Sequence, residues 1–161
     1  MTHVVLRKTI RVNDVLPNTD FSTQVSADVP VIAERSMYWN NGTGEACHDS
    51  VGMSSGHKTF YLPDGQTSGG RETWTLVQNP NANAVGVDIT YMRPDGTGNV
   101  KFSDIVPANS RKSYNPADKV PDGRAAIMVT CTAGNKKIMV ERAMYWNNRG
   151  AGTDTIGGYS D

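Results

Sequence analysis

Arginine and aromatic side chains return together in this chain at one spacing. Residues 31–41 read VIAERSMYWNN and residues 138–148 read IMVERAMYWNN, so Arg35, Tyr38 and Trp39 reappear 107 positions on as Arg142, Tyr145 and Trp146. In an extended strand alternate residues share a face. Arg35 then stands with Val31, Ala33, Met37 and Trp39, and Arg142 with Ile138, Val140, Met144 and Trp146, which puts each guanidinium on the more apolar face. Such an arginine fastens a sheet by stacking on a ring or pairing with a carboxylate of an adjoining strand; alternatively it centres a pocket for an acidic ligand. Duplication favours the framework role, because a framework position is expected in both copies and a catalytic one is not. The paired rings, Tyr38 with Trp39 and Tyr145 with Trp146, are candidate platforms for sugar rings, although large aromatics in small β-domains more often fill the core.

The remaining reactive residues point to no reaction. His48, Asp49 and Ser50 are adjacent letters, whereas a catalytic triad gathers its members from separate elements. Asp49 and Asp154 hold matched places in two similar tails, HDSVG at 48–52 and TDTIG at 153–157. Neither tail has the closely spaced acidic set of a dedicated calcium site, so turn stabilisation is the expected role. There is no phosphate-cradling glycine loop, no metal-spaced His/Cys cluster and no basic stripe, so neither metal nor cofactor is expected. Sixteen Lys and Arg balance sixteen Asp and Glu, leaving no long-range field to gather nucleic acid or anionic membrane. No apolar run is long enough to span a bilayer, and the opening MTHVVLRKTIRVND has no signal-peptide core. Cys47 and Cys131 are 84 positions apart and are expected to be separate reduced thiols, one in a loop and one in a strand.

The elements that must position these residues read as strands. Sixteen Val and fifteen Thr stand against four Leu, and β-branched residues suit a pleated, half-buried surface. Val85, Val87, Ile89 and Tyr91 alternate with Gly86, Asp88 and Thr90, the period of a strand with one face buried. Pro-Asp-Gly occurs at 63–65, 94–96 and 121–123, where proline presets the turn and glycine supplies a positive φ to close a hairpin. Residues 8–15 and 21–25 read as further strands, and no stretch has helical periodicity. The expected fold is all-β: an antiparallel β-sandwich module of about 100 residues at 56–161, preceded at 1–55 by the C-terminal half of a first module that packs with the second or with a partner chain.

The segments FYLPDG, ETWTLVQNPN, VGVDITYM, VPANSRKSY and the two copies of ER(S/A)MYWNN resemble the repeated β-sandwich domains of uncharacterised bacterial cell-surface proteins. In second place they are similar to the sensory rhodopsin transducer family. The first resemblance implies an extracellular, tandemly repeated module. The second implies a cytoplasmic oligomeric adaptor with a membrane partner, for which DNA or sugars are candidate ligands. The half-duplication favours the first. A non-enzymatic structural or adhesive module is therefore expected, partnered by neighbouring modules or by copies of itself, with a glycan or another surface protein as further candidates. A carbohydrate-binding module of a secreted enzyme and the transducer-like adaptor are the alternatives. Tyr38, Trp39, Tyr145, Trp146, Arg35 and Arg142 are the candidate ligand-binding residues.

Overall fold

The computed structural model describes residues 6–161, so the first five residues of the expected half-module lie outside the described residues. Among the described residues the strands are β1 (Glu34–Asn40), β2 (Glu45–Val51), β3 (Thr59–Leu62), β4 (Glu72–Asn79), β5 (Val85–Met92), β6 (Val100–Val106), β7 (Ser110–Tyr114), β8 (Ala126–Cys131), β9 (Met139–Trp146), β10 (Ala151–Ile156) and β11 (Gly158–Ser160). They form a four-stranded sheet ordered β10-β9-β4-β7, a five-stranded sheet ordered β11-β3-β8-β5-β6, and the separate hairpin β1-β2. Every pairing is antiparallel. The two larger sheets pack as a sandwich, and no α-helix occurs among the described residues.

The five-stranded sheet supplies most of the core. Val85, Val87, Ile89 and Tyr91 of β5 are buried together with Phe60 and Leu62 of β3 and Ile127 and Val129 of β8, as period-two alternation requires. The four-stranded sheet is chemically unusual. Along β4 the inward residues are Thr73, Thr75, Val77 and Asn79, whereas Trp74 and Leu76 point outward. Beside them on the outer face, β9 places Ala143 opposite Trp74 and Glu141 opposite Leu76. An outer face carrying that much apolar surface loses free energy to water unless something covers it. The hairpin β1-β2 lies over its β9-β10 end as a third layer.

Asn79 pins the corner where β4 leaves one sheet for β5 in the other. It is fully buried. Its Oδ1 accepts from the backbone and side-chain N–H of Asn81 at 2.9 and 2.7 Å, and its Nδ2 donates to the carbonyls of Asn83, Val106 and Pro107 at 2.9, 3.1 and 2.8 Å. One amide thus joins the loop after β4 to the loop after β6.

Of the three Pro-Asp-Gly turns, only the one at 94–96 closes a hairpin, between β5 and β6, with Gly96 at φ 74°. The other two face each other across the sandwich end: Ala125 N–H donates to Gly65 O at 2.9 Å and Thr67 N–H to Gly123 O at 2.9 Å. There glycine serves close approach, since a Cβ on Gly65 would meet Ala125 O at 3.3 Å. The strands expected at 8–15 and 21–25 are absent; the segment is irregular apart from one 3-10 turn at Val12–Asp14. Alternation makes a strand only where a sheet edge offers hydrogen-bond partners, and this segment pairs with none. Both cysteines are free, but Cys47 sits exposed in β2 rather than in a loop, while Cys131 is buried in β8.

Replacing Asn79 by alanine removes all five of its side-chain hydrogen bonds, among them the fully buried one to the carbonyl of Val106. A loss of about 2–3 kcal/mol in urea-unfolding stability is expected, with an unchanged circular dichroism spectrum below the transition; a change under 0.5 kcal/mol would show that the corner is held by other contacts.

Candidate functional site

Cross-strand partners share a face, and this decides what the hairpin presents. Arg35 opposes Ser50, Met37 opposes His48 and Trp39 opposes Ala46, so an arginine, an indole and an imidazole lie on the covered side. On the sheet below, Glu141 opposes Ile156, Ala143 opposes Asp154 and Tyr145 opposes Gly152. The two faces meet through their charges and rings.

Arg35 Nη2 donates to Glu141 Oε1 at 2.7 Å and also to Asp154 Oδ2. His48 Nδ1 lies 3.0 Å from the same Asp154 oxygen, off the axis of a good hydrogen bond, and His48 Nε2 is 3.2 Å from the Tyr145 hydroxyl. Trp39 meets Tyr145 edge to face at a centroid separation of 5.5 Å and His48 at 5.1 Å. Its ring rests on Gly152, where a Cβ would fall 3.0 Å from Trp39 Cη2; only glycine leaves that room. The hairpin tips are tied as well, by Trp39 Nε1 donating to Arg149 O and by Asn41 Nδ2 to Asn148 O at 2.9 Å. Arg149 in turn pairs with Glu72 and lies over the Tyr145 ring, 5.4 Å from its centroid.

The cluster is buried at its centre and open at its edge, where the Arg35 and Glu141 side chains remain 35% and 21% exposed. The Asp154 and His48 side chains are 1% and 5% exposed, and Arg35 Nε and Asp154 Oδ1 are buried without hydrogen-bond partners. Burial pushes the Glu141 carboxyl up to about 7, helped by its hydrogen bond to Asp154 and opposed by the Arg35 charge. Burial lowers His48, against the pull of Asp154, with Arg35 adding to the lowering. Asp154, His48 and Tyr145 stand in a row, with no aligned hydrogen bond between His48 Nδ1 and Asp154. Among the described residues no three His, Cys, Asp or Glu side chains are grouped to hold a metal ion, and no helix is long and apolar enough to cross a membrane. Concavities elsewhere are slight: a cavity of about 10 Å³ beside Val120 and Ile127, at most one water in size, and an open depression of about 220 Å³ between Lys58, Lys137 and Asp161.

The structure brings three of the six sequence-derived candidates together: Arg35, Trp39 and Tyr145. Tyr38 is on the opposite face of β1 and 79% exposed. Arg142 is buried on the inner face of the sandwich and donates to the carbonyl of Asp64 at 2.9 Å. Trp146 lies beneath the Arg71 guanidinium, 5.6 Å away. His48, Glu141 and Asp154 are not among those six, and Asp154, expected to stabilise a turn, lies within β10 and pairs with Arg35. Only Glu141 lies within the longer repeat, whose strand carries arginine on one face and glutamate on the other and can serve as either side of an ion pair.

With the geometry in hand, comparison with known proteins places the fold. No family model matches the chain, and no curated protein matches it. Among solved structures, the crystal structure of Thermotoga maritima 1070 is similar with a TM-score of 0.55 at 17% identity, covering 67% of this chain and 97% of that one. The Anabaena sensory rhodopsin transducer is similar with a TM-score of 0.45 at 22% identity, covering 56% of this chain and 99% of that one. The Thermotoga likeness is one of fold, consistent with the sandwich described above.

Two outcomes follow from the cluster. Removing the guanidinium by Arg35→Ala leaves Glu141 and Asp154 facing each other; about 2 kcal/mol of hairpin stability is expected to be lost, between the exposed and buried limits for ion pairs. Amide hydrogen exchange checks this, with β1 and β2 accelerated and β5 and β8 unchanged. The second concerns pH. Glu141 holds its proton more tightly in the folded chain, so its contribution is full below the ordinary carboxylate value of 4.5 and is lost as pH rises through about 7. His48 holds its proton less tightly when folded, so its contribution is present above 6.5 and lost as pH falls. Glu141→Gln keeps a neutral side chain at every pH. The stability of this variant relative to wild type is expected to grow steadily between about pH 5 and pH 8 in urea unfolding; a difference independent of pH overturns the assignment.

Proposed function

We propose that this chain is a non-catalytic structural module that works through the docking of β-hairpins on sheet faces. The observation that carries the reading is the use made of the cluster with the most reactive side chains: Arg35, His48, Glu141 and Asp154 pair with one another across two layers and serve as their fastening. Buried charges held this way specify which faces meet more than they add stability. The two copies of the repeat form the two sides of that contact, which supports a protein whose units pack on one another. Placement in a repetitive bacterial surface or secreted protein is part of the proposal, supported by the resemblance of ERSMYWNN and ERAMYWNN. A sugar-binding role draws less support, because Trp39 is engaged by Tyr145 and His48 and Trp146 by Arg71.

The test joins two measurements. Wild type and His48→Ala are offered a panel of model esters, peptides and glycosides, with no turnover above buffer expected from either; turnover that depends on His48 overturns the reading. Thermal unfolding is then followed at Trp39 and at the sandwich core in parallel. The two probes are expected to superimpose as one cooperative unit, and a hairpin that melts on its own would remove the structural role.

A further inference from the structure

The face of β1-β2 that points away from the sandwich repeats the face on which β1-β2 itself is docked. The registers coincide. Glu34 opposes Val51 as Glu141 opposes Ile156; Ser36 opposes Asp49 as Ala143 opposes Asp154; Tyr38 opposes Cys47 as Tyr145 opposes Gly152. Both acids, the tyrosine and the β-branched residue of the lower face thus have counterparts one layer up, with Ser36 in the place of Ala143 and Cys47 in that of Gly152. On β9-β10 these residues receive an arginine. On β1-β2 they meet solvent: Glu34 and Asp49 are exposed, Val51 is 55% exposed and Tyr38 79%. Among the described residues neither Glu34 nor Asp49 takes part in an ion pair.

We infer that the outer face of β1-β2 is a second docking surface, built to receive a further β-hairpin that presents an arginine to the Glu34 and Asp49 carboxylates. This rests on the reading of the chain as a hairpin-docking module. The occupant is defined by the contact already seen one layer below. Its arginine answers two carboxylates from adjacent strands, and the following residues of its strand run toward Tyr38.

One difference sharpens the specificity. Gly152 leaves room for the Trp39 ring, whereas Cys47 holds the matching place on the upper face. The Cβ and thiol of Cys47 occupy space that the indole fills below. The occupant therefore carries a small side chain, not tryptophan, four residues after its arginine. The covered side of the chain's own hairpin has the arginine but the wrong residue at that place, which discriminates against stacking copies of this chain through this face.

The probe is a head-to-tail cyclic peptide of residues 33–52, whose ends adjoin in the structure, where Gly52 N–H donates to Ala33 O at 2.8 Å. It carries Trp39→Ala and Cys47→Ser and is verified by NMR to hold the β1-β2 register. Titrated into the full chain, it is expected to bind one to one and to shift the backbone amides of Tyr38 and Cys47. Binding is expected to fall at least tenfold in a Glu34→Gln/Asp49→Asn chain, both sites being exposed and outside the fastening cluster. The same peptide with Trp39 kept is expected to bind about tenfold more weakly to the wild-type chain and to recover on a Cys47→Gly chain. No binding to the wild-type chain overturns the inference. So does binding that survives Glu34→Gln/Asp49→Asn, or that shifts Gly152 and Asp154 instead, because the peptide has then displaced the resident hairpin. Each of these outcomes leaves the turnover and unfolding tests of the module reading standing.

Discussion

The guanidinium of Arg35, set between the carboxyls of Glu141 and Asp154, is the contact on which the third layer depends. Those two acids stand on the outer face of a sheet that also carries Ala143 and Tyr145, apolar enough to need a cover yet charged enough to reject an ordinary apolar one. An arginine on the covering strand resolves the conflict. Once it is placed, the rest of the hairpin has little freedom: four residues along the strand the indole of Trp39 comes down on Gly152, the imidazole of His48 arrives from the partner strand beside Asp154, and the tip residue Asn41 reaches the carbonyl of Asn148. Desolvating this many polar groups costs nearly as much as their attraction returns. What the cluster contributes is registry, in the manner of a key.

The repeat is used asymmetrically, and this explains why matched residues have unlike surroundings. Arg142 looks into the sandwich and serves a loop carbonyl; Arg35 looks onto a sheet and serves two carboxylates. Tyr145 lies under a covering layer and Tyr38 in water. A strand of the type Glu-Arg-x-Met-Tyr-Trp has an acid and a phenol on one side and a base and an indole on the other. Such a strand is complementary to itself when stacked, face upon opposite face, and not when turned over.

The sandwich was legible in the residues because period-two burial is a local property: Val85, Val87, Ile89 and Tyr91 announce their common face without reference to any neighbour. The repeat announced Arg35 and the aromatic pairs in the same way. What the residues did not disclose was pairing across space. Glu141 and Asp154 become a site only when a segment more than a hundred residues away is laid over them, and no local pattern encodes that. His48 was set aside because its letters adjoin Asp49 and Ser50, whereas its partners are Asp154 and Tyr145. The strands expected at 8–15 and 21–25 failed for a related reason: β-propensity is realised only where an edge is free to pair.

The link from β2 to β3 spans only residues 52–58. The hairpin is therefore a tethered ligand of its own sheet, held at high effective concentration by a short link that is itself bridged to the sandwich at His57 and Ile138. Any protein competing in trans for the β9-β10 face has to exceed that concentration or the equivalent in affinity, so the lower face is in practice reserved for the chain's own hairpin. The upper face has no resident competitor. A strand that binds the two faces equally well in isolation would be found almost entirely on the upper one, so the short tether sets the direction in which the stack can grow, and Cys47 in the place of Gly152 selects what is added.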